Sequence, residues 1–305
     1  MGSIDPFTGS GMKVRANGLT LEVDDQGPRD APVALLVMGL GMQLTGWPDE
    51  LVALLLAEGF RVVRFDNRDA GLSDGFDHAG VPSIPLNALR HFLRLPIRAP
   101  YALKDMAADA VGVLDALGIA RAHIVGASLG GMICQHIAAT YPERVASVTL
   151  IMTTSGSRRL PGPTMVARRA LLSQPADREP ETLISHSISV FTAIGSPGYR
   201  PTPAELRARV VATITRASRP QGSVRQLLAI AADGDRTPLL ARIQAPTQVI
   251  HGVVDPLVPV ANGHDLVKRI PGALGDFIEG MGHDLPHALL DRIASRIASN
   301  ARRAT

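Results

Sequence analysis

The chain has 305 residues, 46% of them hydrophobic and 19% charged, enough for a large core in one α/β domain with an insertion or in two ordinary domains. Its 31 basic and 28 acidic residues leave a formal net charge of +3, mixed along the chain without a basic run interleaved with aromatics, which argues against a nucleic-acid binder. No segment reaches the roughly 18 unbroken apolar residues of a membrane span. Cys134 is the one cysteine, so no intramolecular disulfide can form, which fits a reducing cytoplasm. Its apolar surroundings make it a small buried hydrophobe rather than a nucleophile.

Residues 1–11 read as an expression-tag remnant before a start at Met12. Leu19–Val23 alternates like a strand. Val33–Met38 is a fully apolar run ended by Gly39-Leu40-Gly41, a buried strand running into a tight loop. A helix is expected from Pro48 to Glu58, with Pro at its start and Gly59 as its stop. Arg61–Asp66 is the next strand. Within residues 76–101, Pro85–Leu95 spaces Leu86, Leu89, Phe92 and Leu93 for one helix face, with Arg90 and Arg94 at i, i+4 on another side. That apolar stripe either packs as plain structure or roofs an entrance to the site. Leu103–Leu117 is an amphipathic helix closed by Gly118. Then follow His123–Ala127 (strand), Leu129–Tyr141 (helix) and Val148–Thr153 (strand).

Such alternation implies parallel pairing and a sheet covered on both faces, the α/β class. Residues 157–244 break the rhythm, with helical segments and no strand, and read as a helical insertion. Alternation resumes with Thr247–His251, a helix over Val260–Ile270, a strand near Asp276–Ile278 and a C-terminal helix. The α/β core is therefore expected in 12–156 and 245–305.

G-x-S-x-G occurs twice, around Ser73 and around Ser128. The motif carries chemistry only between a strand and a helix. Ser128 has that setting, and Ser73 follows a polar stretch and precedes a loop. A serine on so sharp a turn projects its hydroxyl from the sheet, and the helix start beneath it favours developing negative charge. Its hydroxyl needs a base, and the base an orienting carboxylate. Downstream, Asp255 ends an apolar strand and His283 follows Gly280-Met281-Gly282, both at the carboxyl edge where α/β sites are built. The backbone N–H groups of Leu40 and Leu129 are the candidate oxyanion donors. His251, inside its strand, reads as a core histidine. His283 and His287 form an i, i+4 pair that could suggest a metal, but the glutamate of a metalloprotease helix is missing and Pro286 interrupts the helix. No metal or cofactor is expected.

Met38-Gly39-Leu40-Gly41, Asp66–Asp74, the Ser128 turn, His251–Asp255 with Val258-Pro259, and Gly282-His283 together resemble the α/β-hydrolase superfamily across nearly the whole chain. Within it the sequence looks like bacterial carboxylesterases related to aclacinomycin methylesterase, supported by Met38-Gly39 and Gly46-Trp47-Pro48. The resemblance implies that Asp66–Asp74 is a structural loop, that 157–244 forms a cap, and that Ser128, Asp255 and His283 act as triad with Leu40 and Leu129 as oxyanion donors. Met38 departs from the histidine common at that position, and residues 76–101 are longer than usual, both bearing on substrate preference. The expected activity is hydrolysis of small to medium apolar carboxylic esters. The same triad could serve perhydrolysis, carbon–carbon bond or amide hydrolysis, and the fold could also serve a ligand receptor with little turnover. The partner is then a small-molecule ester; homo-oligomerisation is left open.

Overall fold

The structure is a computed structural model that describes residues 11–93 and 95–304. Residues 1–10 of the segment read as a tag remnant, and Arg94 of the expected arginine pair, lie outside the described residues. The strands are β1 (Met12–Ala16), β2 (Leu19–Gln26), β3 (Val33–Val37), β4 (Arg61–Phe65), β5 (Ala122–Ala127), β6 (Val145–Ile151), β7 (Thr247–Gly252) and β8 (Leu274–Ile278). They form one sheet in the order β1-β2-β4-β3-β5-β6-β7-β8. β1 and β2 pair antiparallel, as do β2 and β4, and the rest is parallel.

The helices are α1 (Asp49–Ala57), α2 (Ile84–Phe92), α3 (Leu103–Ala116), α4 (Leu129–Thr140), α5 (Met165–Leu172), α6 (Pro180–Ile194), α7 (Pro203–Arg216), α8 (Pro220–Asp233), α9 (Thr237–Leu240), α10 (Ala261–Arg269) and α11 (Leu290–Ala301). Every residue of β3, β4 and β6 is buried, because parallel strands covered on both faces have no solvent side. Successive side chains alternate between two cores. Leu35, Val37, Ile124 and Leu150 meet residues of α3, α4 and α10 on one face. Ala34, Leu36, Val125 and Ile250 meet α1 and α11 on the other. α11 buries Leu290, Ile293, Ala294, Ile297, Ala298 and Ala301, a helical stripe in which each fully buried Leu or Ile is worth roughly 1.5–3 kcal/mol. No helix among the described residues is long and apolar enough to cross a membrane.

Between β6 and β7 the described chain is helical, α5 to α9, without a strand. Buried charges fasten this stretch to the loop after β4. The Arg225 guanidinium of α8, 1% exposed, binds both carboxylate oxygens of fully buried Asp69 at 2.8 and 2.7 Å. Burial alone pushes the Asp69 carboxyl up, but Arg225, the Phe76 N–H and the Tyr101 hydroxyl together hold it below the usual carboxylate range. Replacing Arg225 by methionine leaves that carboxylate buried without its cation and is expected to cost about 3–5 kcal/mol. For a lowered carboxylate the stabilisation is present above the unfolded pKa and lost as pH falls through the folded one. Without Arg225 burial raises the carboxyl, which protonates early, so the penalty relaxes in acid. Thermal melts by circular dichroism should therefore show a gap between parent and Arg225→Met that narrows from about pH 7 to about pH 4. A gap constant over that range contradicts this account.

One expectation needs correction. The α2 stripe does not pack against the protein as plain structure: Leu86, Leu89, Phe92 and Leu93 are exposed, Phe92 at 82%. Among the described side chains of the helix the buried one is polar Asn87, which exchanges hydrogen bonds with the Arg98 backbone.

Candidate active site

β5 runs into α4 through a single residue. Ser128 takes φ 53° and ψ −116°, a region that a residue with a Cβ enters only when its surroundings force it. The surroundings are backbone. A Cβ on Gly126 would lie 2.3 Å from the Gly130 carbonyl oxygen, and one on Gly130 would lie 1.9 Å from the Val37 carbonyl oxygen. Glycine at both positions is therefore a steric requirement of the turn. The Ser128 N–H donates to Ile151 at 2.9 Å and its carbonyl accepts from the Thr153 hydroxyl at 2.7 Å, so the strained residue is held from both sides.

Three segments far apart in sequence bring their side chains together here. Ser128 Oγ lies 3.0 Å from His283 Nε2, and His283 Nδ1 lies 2.7 Å from Asp255 Oδ2. A carboxylate only accepts, so Nδ1 carries the hydrogen and Nε2 is left with a lone pair facing the serine hydroxyl. Asp255 is buried, and its Oδ1 accepts from the Leu257 and Val258 N–H groups, each at 2.8 Å. His283 is buried too, and its own N–H donates to the Ile194 carbonyl at 2.8 Å.

The loop after β3 closes on the same point. A Cβ on Gly39 would stand 3.4 Å from Ser128 Cβ and 4.0 Å from its Oγ, which puts the Gly39-Leu40 backbone against the serine. Leu129 opens α4, so its N–H has no acceptor in the preceding turn. Ser73, the rival serine, is fully buried; its hydroxyl donates to the Asp66 carbonyl at 2.6 Å and accepts from the Glu22 N–H at 2.9 Å. It ties loop to sheet and faces no base. His251 is also buried; Nε2–H donates to the Val258 carbonyl at 2.7 Å, bracing the loop that carries Asp255, and burial pushes its imidazole below the usual histidine range. Cys134 is fully buried, and burial pushes its thiol up. Among the described residues no three His, Cys, Asp or Glu side chains cluster as metal ligands would.

Sequence reasoning missed several supporting residues. Gln226 of α8, fully buried, accepts from the Gly41 N–H at 2.8 Å and donates to the Arg68 carbonyl at 2.7 Å. Arg216 of α7 bonds Asp66 at 2.8 Å, and Asp66 accepts from the Leu44 N–H at 2.6 Å. Ser196 accepts from the Gly282 N–H at 2.8 Å and donates to Asp284, fixing both neighbours of His283. Burial holds the Asp284 carboxyl above the usual carboxylate range. A cavity of about 430 Å³ adjoins this loop, walled by α6 and α7, with Asp284, Ser196, Ile188, Phe191 and Leu206 among its lining. The partners of Gln226, Arg216 and Ser196 named here are 86 to 185 positions away, and no local pattern marks them.

Residues 32–287 match the model of a family described by the α/β-hydrolase fold. Rhodomycin D methylesterase DauP of Streptomyces sp. (strain C5) is 31% identical over 297 residues, 91% of this chain and 93% of the relative. Rhodomycin D methylesterase DnrP of Streptomyces peucetius is 30% identical with the same coverage. Among solved structures, the enol-lactonase from Burkholderia xenovorans LB400 superposes with a TM-score of 0.72 at 22% identity, covering 95% of this chain and 100% of that one.

Proposed function

Because the chain belongs to the α/β-hydrolase family, we propose that it is a carboxylic ester hydrolase working through an acyl-enzyme, with Ser128 as nucleophile, His283 as base and Asp255 as orienting acid. The observation that carries this reading is the unbroken line from Ser128 Oγ to His283 at 3.0 Å and on to Asp255 at 2.7 Å. His283 Nε2 takes the serine proton as Oγ attacks the ester carbonyl, and Asp255 stabilises the imidazolium that forms. The N–H groups of Leu40 and Leu129 receive the charge that develops on the carbonyl oxygen. His283 then gives its proton to the departing alcohol. A water enters, gives a proton to the same nitrogen and attacks the acyl-enzyme; the acid leaves and Ser128 regains its proton.

Residues 157–244 serve in this reading as a cap over the serine. The cavity beside the His283 loop, with Ile188, Phe191 and Leu206 in its wall, supports an apolar substrate portion. The names of the two methylesterase relatives turn the alcohol toward a small one, so methyl esters of apolar acids are the first natural candidates.

The test is steady-state release of p-nitrophenol from p-nitrophenyl butyrate. Many equivalents per chain are expected, unchanged after overnight EDTA. No more than one equivalent per chain contradicts the proposal and leaves a ligand receptor on the same fold. Loss with chelator and recovery with zinc contradicts the metal-free mechanism.

A further inference from the structure

α2 is an amphipathic helix worn inside out. Leu86, Leu89 and Phe92, with Leu93 just past its end, fall on one arc of its wheel, opposite Asn87, and among its described side chains it is Asn87 that is buried. Ile84 before them and Leu95 after them are exposed as well. α5 repeats the arrangement: Met165, Val166 and Leu172 are 60–65% exposed, and the buried residue is Ala167. A soluble surface scatters single apolar side chains, but contiguous runs of large ones mark a contact surface.

Along the sequence stretches that carry the two helices the charges have one sign. Residues 78–104 hold Arg90, Arg94, Arg98 and Lys104 and no acidic residue; residues 155–176 hold Arg158, Arg159, Arg168 and Arg169 and again no acidic residue. A chain with 28 acidic residues leaves both stretches empty of them. Arg98, Arg158, Arg159, Arg168 and Arg169 are exposed, and none makes an ion pair among those found between described residues. Both stretches leave the sheet at the same edge. α2 follows β4 and α5 follows β6; these strands run parallel to β3 and β5, between them in the sheet. Both helices therefore leave the carboxyl edge that carries Ser128. The Thr164 N–H at the head of α5 donates to Pro256 at 2.9 Å, next to Asp255.

We propose that the exposed faces of α2 and α5 dock this protein onto an anionic phospholipid bilayer, with the Ser128 edge of the sheet toward the lipid. Large apolar side chains flanked by arginines are what an interfacial helix presents: the apolar groups enter the acyl boundary and the guanidinium groups meet the phosphates. Charge complementarity selects this occupant over a second copy of the chain, because two acid-free basic faces repel. An ester-cleaving edge held at a bilayer draws on substrates dissolved in the lipid.

Cosedimentation with vesicles tests the proposal on the intact chain. At about 50 mM salt the protein is expected to pellet with vesicles of phosphatidylglycerol and phosphatidylcholine in equal parts, and to be released at about 500 mM. Vesicles of phosphatidylcholine alone are expected to bind about tenfold less. Phe92→Ser with Leu172→Ser, and Arg168→Glu with Arg169→Glu, should each lower binding about tenfold while parental thermal melts and turnover of soluble p-nitrophenyl acetate persist. Absence of pelleting on anionic vesicles at low salt overturns the proposal. So does equal pelleting on both vesicle types. A dimer on size exclusion that Phe92→Ser with Leu172→Ser splits assigns the face to self-association and overturns it as well. The pelleting and size-exclusion readouts do not depend on the ester-hydrolase reading, which the p-nitrophenyl butyrate assay tests separately.

Discussion

Ser128→Ala is expected to lower kcat on a carboxylic ester by about 10⁴–10⁶-fold, because the members of a triad act as one unit and the residual rate comes from binding and the oxyanion donors alone. The alanine keeps the turn, since the constraint on that residue comes from Gly126, Gly130 and the bonds to Ile151 and Thr153. The loss is therefore chemical and not a loss of fold, and an unchanged thermal melt checks this. Ser73→Ala inverts the pattern: the Glu22 N–H and Asp66 carbonyl lose a buried partner, costing about 1–3 kcal/mol of stability with little effect on kcat. A fluorophosphonate probe read by peptide mass spectrometry should label Ser128 and leave Ser73 unmodified. Label on Ser73, or undiminished turnover in the Ser128 variant, rejects the proposed nucleophile.

Asp255→Asn carries the second large effect, roughly 10²–10⁴-fold in kcat. The geometry dictates how the amide sits. The Leu257 and Val258 N–H groups both point at Oδ1, so the amide oxygen stays there and the NH₂ turns to His283. A donor facing Nδ1 forces that nitrogen to accept and moves the imidazole hydrogen to Nε2, the atom that must take the serine proton. Asp255→Ala removes the mispositioned donor along with the carboxylate. Stopped-time assays on p-nitrophenyl butyrate should find Asp255→Asn at least as impaired as Asp255→Ala. An asparagine variant with parental kcat rules out the orienting role.

Much of this was legible in the chain because buried parallel strands announce themselves. Val33–Val37 is a short apolar run ended by turn residues, and the glycine spacing around Ser128 reflects a turn that tolerates nothing larger. β1 escaped although Met12–Ala16 alternates apolar and polar residues, because the run is five residues long and only two of them are buried. Its signal lies in the Asn17-Gly18 pair, with φ 48° and 81°, the turn chemistry that joins an antiparallel hairpin. The direction of the α2 stripe was illegible for a different reason. Periodicity shows that a helix has an apolar face but not which side the protein holds, and here Asn87 wins by bonding the Arg98 backbone. The arginine clamps of α7 and α8 close contacts across some 150 residues, a separation no window of sequence can span.

Gln226 gives those clamps a wider meaning. One amide side chain joins the Gly41 N–H to the Arg68 carbonyl, so the backbone beside Leu40 is shaped by a helix that belongs to the insertion and not to the sheet. Inserted helices are usually thought of as interchangeable modules, free to drift while the catalytic scaffold stays fixed. In this chain the module and the scaffold share a structural keystone. A chimera that exchanged residues 157–244 for a foreign segment would inherit a Gly41 amide with no acceptor and two aspartates, Asp66 and Asp69, with no cation. Substitutions on the faces of α5 and α6, where the helices carry none of these bonds, leave the lock intact, whereas changes within the Arg216-to-Gln226 span open it.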